Sequence, residues 1–221
     1  MPELRREDSV FYLELGEDEN RFSPDWLKAV NALLDEVVDH PGPAVLVTTG
    51  KGKFFSNGLD LEWLGAHGDQ LASYVANVHA LFARVLALPV PTVAAVNGHA
   101  FGAGAMLATA HDFRVMRSDR GYFCFPEVDI HIPFTTGMAA LIQAKTTPAA
   151  AVASMTTGRR LGGPEARDLG LVDAVADEAA LVETAADLVR PLAGKDRTTL
   201  SAIKSTMFAS ALAALREPAG P

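Results

Sequence analysis

The stretch NGHAFGAGAML, residues 97–107, restricts the fold of this chain more than any other segment. It joins PTVAAV, an apolar run containing β-branched residues, to a segment of helical character, and it carries three glycines and almost no polar side chain. A strand that hands over to a helix belongs to an α/β architecture, and glycine at such a junction lets backbones approach where a Cβ would forbid it. Two readings of Gly98, Gly102 and Gly104 stand. They serve tight packing of strand on helix, or they expose the unpaired N–H groups of a helix start to an anion. Phosphate fits poorly as that anion. No Lys-Ser or Lys-Thr follows Gly104 and no glycine stands three residues past it, which removes the P-loop and the dinucleotide fingerprint. What remains is an amide-lined pocket suited to a transient charge, such as an enolate oxygen.

The same alternation runs along the chain. SVFYLEL reads as a strand, and SPDWLKAVNALLDEVVDH as a helix with Ser23 as N-cap and Pro24 at its first position. Trp26, Val30, Leu33, Leu34, Val37 and Val38 recur at helical spacing, which predicts a helix lying on a sheet. PAVLVTT is a buried strand, GKGKFFSNGLDLEW a loop, and residues 70–88 a helix closed by Pro89 and Pro91. After the strand TVAAV come a helix around Ala105–Ala110 and the apolar runs FRVM and YFCF. Beyond PEVDIHIPFTTG the pattern is mostly helical, interrupted by the strand-like GLVDAV, and the tail EPAGP is expected to fray.

Composition narrows the function classes. With 221 residues, of which 49% are hydrophobic, the chain can bury a full core in one ordinary domain. Its 19 basic against 27 acidic residues leave a net charge of −8, which argues against a broad electrostatic grip on nucleic acid or anionic lipid. A single cysteine, Cys124, excludes an intrachain disulfide and a multi-cysteine metal site. No segment has signal-peptide character or reaches about 18 uninterrupted apolar residues, so a cytoplasmic location is expected. His and carboxylate residues fall in no ligand-like spacing, and no metal is expected.

In KGKFFSNGLDLEW the Ser-Asn-Gly sequence is turn-forming, and Asp60 suits the cap of a short helix. The N–H of Leu59, after Gly58, is then free to point inward, unless the segment is an ordinary surface turn. At this point the residues carry a resemblance. KFFSNGLDL, then AAVNGHAFGAGAML, with PEVDIHIP and TGRRLGGPEARDLGLVDAV downstream, resemble the signature segments of the crotonase family, also called the enoyl-CoA hydratase/isomerase family. The resemblance implies an α/β fold: a crotonase-like spiral of ββα units over residues 1–160 that carries an oxyanion hole, and a helical C-terminal region, 161–221, for assembly into trimers or pairs of trimers. It implies acyl-CoA thioester substrates, with CoA part of the substrate and no separate cofactor. By position, the thioester oxygen would sit between the N–H groups of Leu59 and Ala103. Lys53, Phe54, Asn57, Gly58, Gly102 and Met106 would line the substrate site, and Lys204 resembles a family lysine that reaches CoA.

Side chains must then choose the reaction. The resemblance to family hydratases calls for two glutamates; here the first falls on Met106 and the second on Glu127. Hydration needs groups that both activate water and deliver a proton, whereas moving a double bond from C3 to C2 needs one base that takes a C2 proton and returns it to C4. The lone Glu127 therefore favours a Δ3-Δ2-enoyl-CoA isomerase. HDFRVMRSDRGYFCFPEVDI is similar to the plant peroxisomal isomerases of the family, and PFTTGMAAL replaces the glycine-rich run of the hydratases. Phe123, Phe125, Val128 and Ile130 flank Glu127, and desolvation by them is expected to raise its pKa. The alternatives are a hydratase or another crotonase-type reaction, and a non-catalytic acyl-CoA-binding protein. Adjacent His111 and Asp112 do not face one another on a helix end and read as structural. His99 reads as a packing residue, and His131 is a candidate for substrate contact. Lys51 joins Lys53 as a candidate for CoA phosphates, and Trp63, Phe82 and Phe101 either line an acyl pocket or fill the core.

Overall fold

The computed structural model describes residues 1–218; residues 219–221 of the tail expected to fray lie outside the described residues. In chain order the elements are β1 (Glu3–Glu7), β2 (Val10–Glu14), α1 (Pro24–Asp39), β3 (Val45–Thr49), β4 (Phe54–Ser56), α2 (Leu61–Ala66), α3 (Leu71–Leu86), β5 (Thr92–Val96), β6 (His99–Phe101) and α4 (Ala103–Ala110). There follow β7 (Phe113–Arg117), β8 (Phe123–Cys124), α5 (Thr136–Lys145), α6 (Pro148–Met155), α7 (Gly163–Asp168), β9 (Ala174–Ala176), α8 (Leu181–Val189), α9 (Arg197–Met207) and α10 (Ala209–Arg216).

Two sheets form. The larger runs β1-β2-β3-β5-β7-β9 and the smaller β4-β6-β8. Every pairing is parallel except β1 against β2. The pairs β3–β4, β5–β6 and β7–β8 each send their first strand to the larger sheet and their second to the smaller, and each is followed by helix. This is the expected spiral of ββα units.

Strand alternation explains why the larger sheet is covered on both faces. Leu46, Ala94 and Val96 join one apolar cluster with α1, α3, α4 and α10, while their neighbours Val45, Val47, Val93 and Ala95 join a second cluster with Leu181, Ala185, Ala186 and Val189 of α8. Side chains two apart share a face, so a strand with both faces apolar must be sandwiched between layers. On α1, Ser23 accepts a hydrogen bond from the Trp26 N–H and Pro24 opens the helix, as the sequence requires.

Three short elements escape sequence reading. β1 (ELRRE) is a mostly exposed, charged edge strand that pairs antiparallel with β2 and packs Leu4 against the core. β4 and β6 are three residues each, inside segments that read as loop and junction. As a result α4 begins at Ala103, earlier than expected. The boundary at residue 160 also fails to separate two packing units. β9 pairs with β7, and α8 covers the larger sheet, so most of the region 161–221 completes the core instead of standing apart from it. Its last helix, α10, turns inward: Ala211, Leu212 and Leu215 are buried in the main cluster, and a Cβ on Gly137 of α5 would lie 2.9 Å from the Ala214 carbonyl.

Candidate active site

The junction glycines do different work at different residues. A Cβ on Gly104 would stand 2.3 Å from the Ser56 carbonyl, so this glycine lets α4 press against β4. Gly102 instead takes φ +51°, a conformation costly for residues with a Cβ, and serves as N-cap of α4. That turn leaves Ala103 as the first helical residue, with an N–H that has no intrahelical acceptor. The second loop converges on it. A Cβ on Gly58 would lie 2.9 Å from the Ala103 nitrogen, which places the peptide leading to Leu59 directly against the start of α4. Asp60 caps α2 by accepting from the Trp63 N–H at 3.1 Å, and its own N–H donates to the Tyr74 hydroxyl at 2.9 Å, so this turn is held from both sides. Among the described residues neither the Leu59 nor the Ala103 N–H donates to another backbone carbonyl.

Glu127 sits over the same point. Its Oε1 is 3.3 Å from the place a Cβ on Gly102 would occupy. The turn after Pro126 fixes it: the N–H groups of Asp129 and Ile130 donate to the Pro126 carbonyl at 2.9 and 3.1 Å, and Ile132 donates to the Glu127 carbonyl at 3.1 Å. The side chain is 8% exposed, and Oε2 has no hydrogen-bond partner among the described residues. Burial pushes its pKa up to about 7, partly opposed by a hydrogen bond from its own backbone N–H. Of the flanking residues, Phe123 and Phe125 are buried, whereas Val128 points out at 48% exposure.

A cavity of about 400 Å³ opens onto this arrangement, lined by Leu59, Ala103, Met106 and Glu127 among others. Asn57, Gly102 and Phe101 also reach it, while Lys53 and Phe54 lie outside it. Trp63 stacks between His67 and Tyr74, and Phe82 packs on Phe22 in the core, so of the three aromatic candidates Phe101 alone lines the cavity. Lys51 is spent on Glu14 at 2.6 Å. Lys204 is not brought to the site. It is buried, and its Nζ donates to the Leu88 and Val90 carbonyls at 3.0 and 2.9 Å and to Asp112 Oδ2 at 2.6 Å. A lysine so fully engaged has no donor left for CoA. His99 packs among the rings of Phe54, Phe101 and Tyr122. His111 is fully buried and pushed down to about 4 by desolvation. Its Nδ1–H donates to the Leu107 carbonyl, leaving Nε2 to accept from the Thr48 hydroxyl. His131 is exposed, with φ +59°, and lines a separate shallow groove beside Glu127.

Sequence reading missed Arg21 and Arg160, the two cations that line the cavity. Arg160 stands 5.7 Å from the Phe101 ring centroid, and its only signal was a place within TGRRLGG. Met138, from α5, was missed too, because α5 meets the site through tertiary packing alone.

The start of α4, the turn at Gly58 and one buried carboxyl of raised pKa thus meet at a single cavity. The model of the family described as enoyl-CoA hydratase/isomerase matches residues 5–218, and the chain belongs to that family. Among its relatives, enoyl-CoA delta isomerase 3 of Arabidopsis thaliana is 40% identical over 87% of this chain and 84% of its own length. Enoyl-CoA delta isomerase 2, peroxisomal, of the same plant is 38% identical over 87% and 85%. Two structures of one Mycobacterium tuberculosis protein, described in one as a probable enoyl-CoA hydratase and in the other as an enoyl-CoA isomerase, superpose with TM-scores of 0.90 and 0.88 at 27% identity, covering 97% of this chain and 91% and 94% of those chains.

Proposed function

We propose that this protein is a Δ3-Δ2-enoyl-CoA isomerase that converts 3-enoyl-CoA to trans-2-enoyl-CoA. The observation that carries the reading is the pairing of a single buried carboxyl, Glu127, with Met106 at the position where a second acid would be needed. In its ionised form Glu127 removes a C2 proton. The negative charge passes through the dienolate to the thioester oxygen, which accepts hydrogen bonds from the Leu59 and Ala103 N–H groups. Glu127 then returns the proton to C4. One carboxyl therefore acts as base and acid in turn, and the two amides lower the barrier where charge develops.

Supporting the choice, Met106 is buried, lines the cavity and exchanges no proton. Asn57 and Gly102 line the cavity in this reading, Gly58 sets the turn behind it, Lys53 and Phe54 lie along the path of CoA, and CoA enters as part of the substrate with no further cofactor. Arg21 and Arg160 supply positive charge at the mouth for its phosphates. The decisive experiment offers 3-enoyl and 2-enoyl thioesters of several chain lengths and follows isomerisation and hydration together. Isomerisation is expected to dominate throughout; hydration of 2-enoyl-CoA at the greater rate would overturn the assignment.

A further inference from the structure

At the ends where β5 and β7 begin, sharing no lining residue with the Glu127 cavity, lies a second cavity of about 520 Å³. Its wall is the apolar flank of α9, with Leu200, Ile203 and Met207, facing Phe113 and Phe208. Ile203 and Met207 are 55% and 65% exposed, although α9 sits among folded elements. At the floor stands Lys145, the last residue of α5. Its Nζ reaches the Asp112 carbonyl at 3.4 Å and lies 5.0 Å from the Phe208 ring centroid, contacts that leave most of its donor capacity unused.

The surrounding charges do not neutralise it. Asp112 is committed to Lys204 and to the Thr92 N–H. Asp196 caps α9 through the Thr199 N–H, with Lys195 beside it at the rim. Arg114 and Asp173, which also act on Lys145, form a pair with each other at 3.4 Å. Setting aside the exposed Lys195 and Asp196, Lys145 and Lys204 stand against Asp112 alone, an excess of one basic side chain, and burial lowers the Lys145 pKa to about 8. Volume and lining fall in the range of small-molecule sites, where an apolar body is held by walls and one polar group fixes the head.

We infer that this cavity is a binding site for an amphipathic monocarboxylate, whose head pairs with the Lys145 ammonium and whose hydrocarbon tail lies along Leu200, Ile203 and Met207. The occupant is an anion because the residual charge is positive, and it is a single-chain amphiphile because everything beyond the head is apolar. A charge-assisted hydrogen bond to carboxylate completes the donors of Lys145. The site lies outside the Glu127 machinery, so the inference does not depend on the reaction assigned to that machinery.

Calorimetric titration of the full chain with decanoate, with decanol as the neutral probe, tests it. Wild type is expected to bind decanoate at least tenfold more tightly than decanol. Lys145→Met, which keeps the stem volume and removes the charge, is expected to erase that preference while leaving turnover of 3-enoyl-CoA unchanged. Ile203→Glu, on the exposed wall, is expected to weaken both probes. Decanoate binding that is insensitive to Lys145→Met would place the ligand in the Glu127 cavity and overturn the inference. Equal affinity for decanoate and decanol in wild type, or no binding because a second copy of the chain covers α9, would overturn it as well.

Discussion

The carboxyl of Glu127 is held where its charged form is disfavoured, and this has consequences for both rate and stability. As the base it must be ionised, so kcat/KM for isomerisation is expected to rise with pH, level off above about 7, and show no such step in Glu127→Gln. That variant should lose about 10²- to 10⁴-fold in turnover while still binding acyl-CoA, measured by steady-state kinetics and calorimetry. The linkage runs the other way for folding. Because the folded pKa is raised, the native state holds a proton over the interval from the unfolded value up to about 7, and stability falls as pH rises through that interval. Glu127→Gln is therefore expected to be more stable than wild type at pH 8, by roughly 1–3 kcal/mol, and to lose that advantage at pH 4. Urea denaturation at the two pH values checks this, and equal stabilities at pH 8 would contradict the burial of the charge.

The start of α4 is the element on which the site depends. Gly102 holds a positive φ with Glu127 at 3.3 Å from any added Cβ, so Gly102→Val both strains the turn and pushes on the carboxyl. Loss of one oxyanion donor costs about 3 kcal/mol in the barrier, and a fall in kcat of about 10²-fold or more is expected, with far-UV circular dichroism unchanged. Unchanged kinetics would sink the role given to the Ala103 N–H. α9 depends on a different contact. Lys204 anchors it to the chain entering β5 and to Asp112, and desolvation lowers the lysine pKa, opposed by that aspartate. Lys204→Met leaves Asp112 partly buried without its cation, which is expected to cost about 3–5 kcal/mol in urea denaturation. It should leave the affinity for CoA thioesters intact, in contrast to a lysine that met the CoA phosphates.

For the molecule as a whole, the position of α10 changes the expectation about assembly. The C-terminal helix packs on α5 and α3 of its own chain and backs the helix that brings Met138 to the cavity, so it supports the site of its own chain from behind. Besides Ile203 and Met207 on α9, large apolar side chains are exposed at Val128, Ile132 and Val152, with Val128, Ile132 and Met155 along one shallow groove beside Glu127. We propose that copies of the chain meet at this face. Sedimentation of the double variant Val128→Asp, Val152→Asp is expected to show smaller species than wild type; an unaltered sedimentation profile would overturn this proposal.

The α/β class, the strands and helices with strong period, the two glycine loops and the lone acid were all legible in the chain, because each rests on local chemistry. Alternation of apolar residues, proline and serine at helix starts, and glycine at tight junctions act within a few residues of where they stand. Short β4 and β6 were illegible, since three residues cannot show a period and form only because neighbouring turns of the spiral supply partners. Arg21, Arg160 and Met138 at the cavity, and the withdrawal of Lys204 into the core, were likewise beyond the sequence. A side chain's address is set by what distant segments bring against it, and a lysine reads the same whether it meets solvent, substrate or three buried oxygens.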